Sequence, residues 1–109
     1  MIAFCEHRPA FRYPPRAFDR LMDGMVRLDC EVAEPEGTLL SCRVVEETPP
    51  RMEFADAGLR IACRLSYTPD DVASAAPLGE GEAPRNRLLY RDSEGKVRVH
   101  IAIPFTLGR

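Results

Sequence analysis

The clearest hydrophobic pattern in the chain lies near its end. Val97, Val99, Ile101, Ile103, Phe105 and Leu107 alternate with Arg98, His100, Ala102, Pro104 and Thr106. A period of two is that of a strand with one buried face, so a strand is predicted over 97–107. Proline removes a ladder donor, so Pro104 puts this strand, or its far end, at a sheet edge. A second alternation, Val26, Leu28, Cys30 and Val32 against Arg27, Asp29 and Glu31, predicts a strand over 26–32. Glu34-Pro35-Glu36-Gly37 is a turn, with Gly37 suited to positive φ. A partner strand over 39–46 follows through Leu40, Cys42 and Val44.

Helical spacing governs the rest. Pro14 and Pro15 can open a short helix over 15–21, with Ala17, Phe18 and Leu21 on one face. Phe54, Ala57, Gly58, Ile61, Ala62 and Leu65 form an apolar stripe that predicts a helix over 53–65. Gly58 within it would let the helix lie close to the sheet. Residues 70–85 are rich in Asp, Ala, Pro, Gly and Glu and read as a long, mobile loop, the alternative being a loop docked through Val72 and Leu78. Leu88-Leu89-Tyr90 could add a short strand, and Asp92-Ser93-Glu94-Gly95 is a turn. The expected fold class is α+β. Its antiparallel sheet has three strands, with the C-terminal strand at the edge and the helices on one face.

Composition narrows the function. The 109 residues fit one domain. A net charge of -2 gives no basic surface for nucleic acid. No apolar run approaches the roughly 20 residues a membrane span requires, and Met1–His7 lacks the pattern of a signal peptide. Phosphate-binding glycine motifs and the G-x-S-x-G elbow do not occur. The two histidines, His7 and His100, are far apart in sequence. A Cys5–His100 nucleophile pair would need an orienting group and a pocket that the sequence does not suggest. Catalytic residues, metal ligands and cofactors are therefore assigned to none.

The four cysteines, at 5, 30, 42 and 63, show no C-x-x-C spacing. With Pro35-Glu36-Gly37 as the hairpin loop, Glu34 faces Thr38, Val32 faces Leu40 and Cys30 faces Cys42. A disulfide can form across such a pair if the Cβ atoms come within about 3.5–4.5 Å. Two free buried thiols are the preferred expectation, because directly opposed strand positions distort the disulfide dihedral.

Beyond these patterns, Tyr13-Pro14-Pro15-Arg16-Ala17 followed by Asp23-Gly24-Met25-Val26 resembles the opening of the TonB C-terminal domain family. The likeness continues through the alternating strand from Val26 to Val32 and the turn at Glu36-Gly37. It extends to Val44-Val45 before Thr48-Pro49-Pro50, the helix start at Phe54-Ala55-Asp56-Ala57, the Tyr67-Thr68-Pro69 exit and the last strand from Val97 to Phe105. It treats 1–109 as a single domain, with 8–69 and 96–107 carrying the pattern and 70–95 as an inserted loop. Leu65 stands where the family often has a bulky aromatic.

The resemblance implies a non-catalytic periplasmic module of an energy transducer whose membrane helix and Pro-rich spacer lie outside this sequence. Such a module would couple an inner-membrane energising complex to an outer-membrane transporter. It would grip an extended segment of the transporter by strand addition, or pair with a second copy of itself. The expected contact residues are Arg12, Tyr13 and Pro14 before the first helix, and Val97, Arg98, Val99, His100, Ile101, Ile103 and Phe105 on an edge strand. Alternatives are a TolA-like or other periplasmic interaction scaffold, and a small Cys/His metal-binding protein.

Overall fold

A computed structural model of the chain describes residues 14–20 and 22–107. The alternating segments form the long strands β1 (Gly24–Val32), β2 (Leu39–Thr48) and β5 (Val97–Phe105). Two helices flank the first hairpin: α1 (Pro15–Asp19) and α2 (Phe54–Ala62). The segment between α2 and β5 holds α3 (Pro69–Ala73), β3 (Ala76–Pro77) and β4 (Leu89–Arg91). The mixed α+β expectation is met.

The sheet has five strands in the order β2-β1-β5-β4-β3, antiparallel except for the β3–β4 pair. This corrects the expected three-stranded arrangement, and with it the edge position of the last strand. β5 pairs with β1 along Arg98–Phe105 and with β4 along Val97–Val99. The margins of the sheet are β2 and the two-residue β3. The added strands come from the 70–95 region, which is not one irregular loop.

α3 had a readable start. Thr68 accepts from the Asp71 amide at 3.1 Å while the Asp71 carboxylate accepts from the Thr68 amide, with Pro69 at the first turn. That reciprocal cap satisfies two orphan donors of a helix N-terminus. Val72 on α3 is 1% exposed and anchors the segment in the core, as the docked alternative anticipated.

The core lies on one face of the sheet. Val26, Leu28 and Cys30 of β1 and Val99, Ile101 and Ile103 of β5 pack with Ala17, Phe54 and Val72 from the three helices. Burying such side chains contributes roughly 1.5–3 kcal/mol each. α2 crosses β1 closely at Gly58, where a Cβ would stand 3.0 Å from Val26 Cγ1. The expected role of that glycine is thus met. Phe54 stacks at 5.1 Å on Phe105 and closes over Gly24, where a Cβ would collide with the ring. α2 ends at Ala62, short of the predicted Leu65. Its first turn is capped from the neighbouring strand, since the Glu47 carboxylate accepts from the Ala55 amide at 2.7 Å and the Arg51 amide at 3.2 Å.

In the hairpin, Gly37 takes φ +91°, and Tyr67 N–H donates to its carbonyl at 2.9 Å. Cys30 does face Cys42, but Val32 pairs with Leu39 rather than Leu40. The register shifts once between Glu31 and Val32 and again between Arg27 and Leu28, which leaves Leu40 and Val45 as bulge residues on β2. The preferred free thiols are corrected: Cys30 and Cys42 form a disulfide with Cα atoms 4.0 Å apart. Cys63 is also disulfide-bonded, and no described cysteine is free.

Candidate functional site

The sheet presents two open margins and a polar outer face. The face opposite the helices carries Arg27, Asp29, Glu31, Arg98, His100 and Ala102, placed there by the same alternation that points Val and Ile inward. Its centre is a closed network. Asp29, 7% exposed, accepts from Tyr90 Oη at 2.6 Å and from Arg98 Nε at 2.6 Å. Burial, reinforced by the bond to Asp29, pushes the Tyr90 phenol up to about 12. A buried carboxylate with two donors, one cationic, is satisfied, and it fastens β4 and β5 to β1.

A second fastening lies at the rim of the sheet, on the side of the helices. Arg91 on β4 reaches Glu34 in the hairpin turn with two bonds, Nη1 to Oε1 at 3.1 Å and Nη2 to Oε2 at 2.7 Å. The same guanidinium donates to the carbonyls of Ala75 and Gly95. The Arg91 hydrogen bond holds the Glu34 carboxyl below its ordinary range. One side chain thus ties the hairpin turn, the end of α3 and the β4–β5 turn together. These groups are engaged with one another, and they read as architecture.

The far end of β5 is open on its β4 side. Arg87 N–H donates to His100 O, and Ala102 N–H is taken by Asn86 Oδ1 at 2.8 Å. Backbone groups alternate sides along a strand, so Pro104 is the next residue to face outward, and it has no N–H to offer. Proline is at the strand's far end, as the sequence reading allowed, but this margin provides no further donor.

The margin of β2 is different. The 4.0 Å separation of Cys30 and Cys42 is that of a narrow, non-hydrogen-bonded cross-strand pair. The neighbouring pairs Glu31↔Ser41 and Asp29↔Arg43 are therefore the hydrogen-bonded ones. It follows that the N–H and C=O of Cys42 and Val44 point away from the sheet. Ser66 bridges Thr38 at the start of this margin. Among the described residues no strand lies beside Ser41–Val44. Leu40, Val44 and Val45 are among the exposed large hydrophobics, at 43%, 38% and 51%.

Clefts also mark the surface, two of which bear on the expected residues. One of about 360 Å³ lies beside α3 and is lined by Tyr67, Asp71, Arg87 and Leu88. Arg87 there adopts φ 64°, a left-handed conformation uncommon for a non-glycine residue. The other, of about 270 Å³, is bounded by Pro14, Glu53, Asp56 and Arg60.

Of the expected contact residues, Arg12 and Tyr13 lie outside the described residues, as does Cys5. Pro14 is buried at the start of α1. Val97, Val99, Ile101, Ile103 and Phe105 are core residues, and Arg98 and His100 sit half-buried on the outer face. The structure brings Arg98 to Asp29 and pairs His100 with Asp29 in register. It does not join them with Pro14 into one surface. The β2 margin had a signal that the sequence reading passed over. The doublets Leu39-Leu40 and Val44-Val45 break the period-two phase, and each break is a bulge.

Among the described residues no group of three or more His, Cys, Asp or Glu side chains is arranged to hold a metal ion, and no helix is long and apolar enough to cross a membrane. The described cysteines, Cys30, Cys42 and Cys63, are in disulfides, and His7 lies outside the described residues. Fold and margins together describe an α+β module whose long edge strand is open. No protein-family model, curated protein or solved structure matches the chain.

Proposed function

We propose that this chain is a non-catalytic binding module of the TonB C-terminal type. It takes an extended segment of an outer-membrane transporter by strand addition and passes on force from an inner-membrane complex. The observation that carries the reading is the β2 margin. It offers outward backbone groups at Cys42 and Val44, and its exposed Leu40, Val44 and Val45 would be covered by an added strand. An unpaired strand edge is a template for another chain's backbone. The reading moves the contact from β5, whose first part is already paired on both sides, to β2 at the other margin.

Two further features support it. Tyr90–Asp29 and Arg98–Asp29 across the outer face, and Arg91–Glu34 at the rim of the sheet, stitch the strands together, which suits a module that carries tension. Disulfides persist in oxidising compartments such as the periplasm, and Cys30–Cys42 and Cys63 are oxidised.

Amide hydrogen exchange with and without a transporter plug-domain peptide tests the proposal. Protection should rise at Cys42 and Val44. Protection confined to α2, or a peptide that protects no strand, would overturn it.

A further inference from the structure

The β2 margin has its own selectivity. Resting on the strand-addition reading, we infer that β2 selects an extended peptide carrying a carboxylate side chain opposite Arg43.

The bulges at Leu40 and Val45 bracket Ser41–Val44, the longest regularly paired stretch of β2, and a shorter one, Glu46–Thr48, follows. A bulge bends the strand and interrupts its ladder, so a segment in register over Ser41–Val44 is bounded by the two. Within that window the bonding groups belong to Cys42 and Val44, and Arg43 stands between them. On the β1 side Arg43 belongs to a wide, hydrogen-bonded pair with Asp29. Towards an added antiparallel strand it would occupy the narrow position, where directly opposed side chains come closest.

Arg43 is exposed and has no ion pair or hydrogen bond among the described residues. Two of the acids on its face are committed, and Glu31, diagonally across on β1, makes no ion pair with it. Both oxygens of Asp29, its cross-strand partner, are held by Tyr90 and Arg98. Glu46, further along β2, is bound to Arg27 Nε at 3.1 Å. Glu47 caps the first turn of α2. Among the described residues Arg43 thus stands as an unpaired cation at the centre of the longest regular stretch of this margin. The residue opposite it on an added strand shares its face. A carboxylate there completes the pair, a neutral amide does so less well, and a lysine is repelled. On the opposite face the same segment meets Val44, so its flanking positions favour apolar side chains.

The test uses short synthetic peptides of alternating valine and threonine, identical except for a central glutamate, glutamine or lysine. Affinity is read by fluorescence anisotropy, and the site is read by amide exchange. An exposed pair of this kind is worth up to about fivefold in affinity. The glutamate peptide should bind the wild-type chain about fivefold more tightly than its glutamine twin. Arg43→Gln should erase that difference, and Arg43→Glu should reverse the order in favour of the lysine peptide. Two outcomes would overturn carboxylate selection while leaving strand addition standing. One is equal binding of the glutamate and glutamine peptides, with Cys42 and Val44 protected by both. The other is a glutamate preference that survives in Arg43→Gln. If no peptide protects Cys42 and Val44, strand addition at β2 fails and the selectivity fails with it.

Discussion

β2 and β5 are strands of similar length in one sheet, with opposite fates. β5 turns Val97, Val99, Ile101, Ile103 and Phe105 inward without a break in phase, and all five are buried. β2 keeps no single phase. Its two apolar doublets each insert a residue, and it stays largely exposed along its length. A strand buried on one face must hold its register, since a one-residue slip turns its apolar set to water. A marginal strand has less to lose from a slip, and bulges there discourage indiscriminate pairing. The contrast separates a strand buried within the sheet from one left open at its margin, and the proposed binding falls to the second.

The sharpest way to break this comparison is a matched pair of truncations. Ile101→Ala should cost about 2–5 kcal/mol through lost burial and a residual cavity. Val44→Ala should cost less than about 1 kcal/mol, since the side chain is 38% exposed. Urea unfolding of both variants measures the difference. Equal losses would mean that β2 is packed as β5 is.

Next in size is the disulfide. Replacing Cys30 and Cys42 together by alanine should cost about 2–4 kcal/mol, the range for bridges that close short loops. Because this bridge joins β1 to the marginal strand, amide exchange should quicken more in β2 than in β5. A uniform change along both strands would show that the bridge does not act locally.

Tyr90→Phe should cost about 1–3 kcal/mol, because it leaves one oxygen of the buried Asp29 without its donor. The buried phenol, with its bond to Asp29, also has an alkaline signature. The folded phenol is raised from 10.0 to about 12, so the folded state holds its proton more firmly than the unfolded chain does. That contribution is fully present below pH 10 and is lost as pH rises through about 12. Thermal melts across this window should show the decline in the wild-type chain and not in Tyr90→Phe.

The smallest expected effect is at the exposed Glu34–Arg91 tie. The Glu34 carboxyl is lowered from 4.5, chiefly by its hydrogen bond to Arg91. A depressed carboxylate contributes stability above its unfolded value and loses it as pH falls through the folded one. Exchange protection at Leu89–Arg91, corrected for the intrinsic rate, should therefore fall below about pH 4.5 in the wild-type chain. Glu34→Gln should remove that acid dependence. An unchanged acid profile in the variant would assign it to another carboxylate.

Much of this was legible in the residues. Period-two alternation placed β1, β2 and β5, and the apolar stripe placed α2. The turn glycine at Gly37 fixed the hairpin, and the 30–42 pairing came from counting residues around it. The reciprocal cap at Thr68 and Asp71, and the doublets on β2, were equally present in the sequence. They were outweighed by the Pro- and Gly-rich composition that follows Pro69 and by the overall alternation of 39–46.

What the sequence determined by itself was the type of β1, β2, β5, α1 and α2 and the face that β1, β5 and α2 bury, because those depend on the spacing of side chains along a single segment. Which strand lies at the margin could not be read that way. β5 is covered because Leu89–Arg91 returns from a distant part of the chain, fixed by Tyr90 to Asp29 and by Arg91 to Glu34. Asn86 then caps the Ala102 amide just beyond. Those contacts join residues far apart in sequence, and neither period nor propensity records them. Only the tertiary structure decided that the longest clean alternation runs inside the sheet, and that the open template is β2.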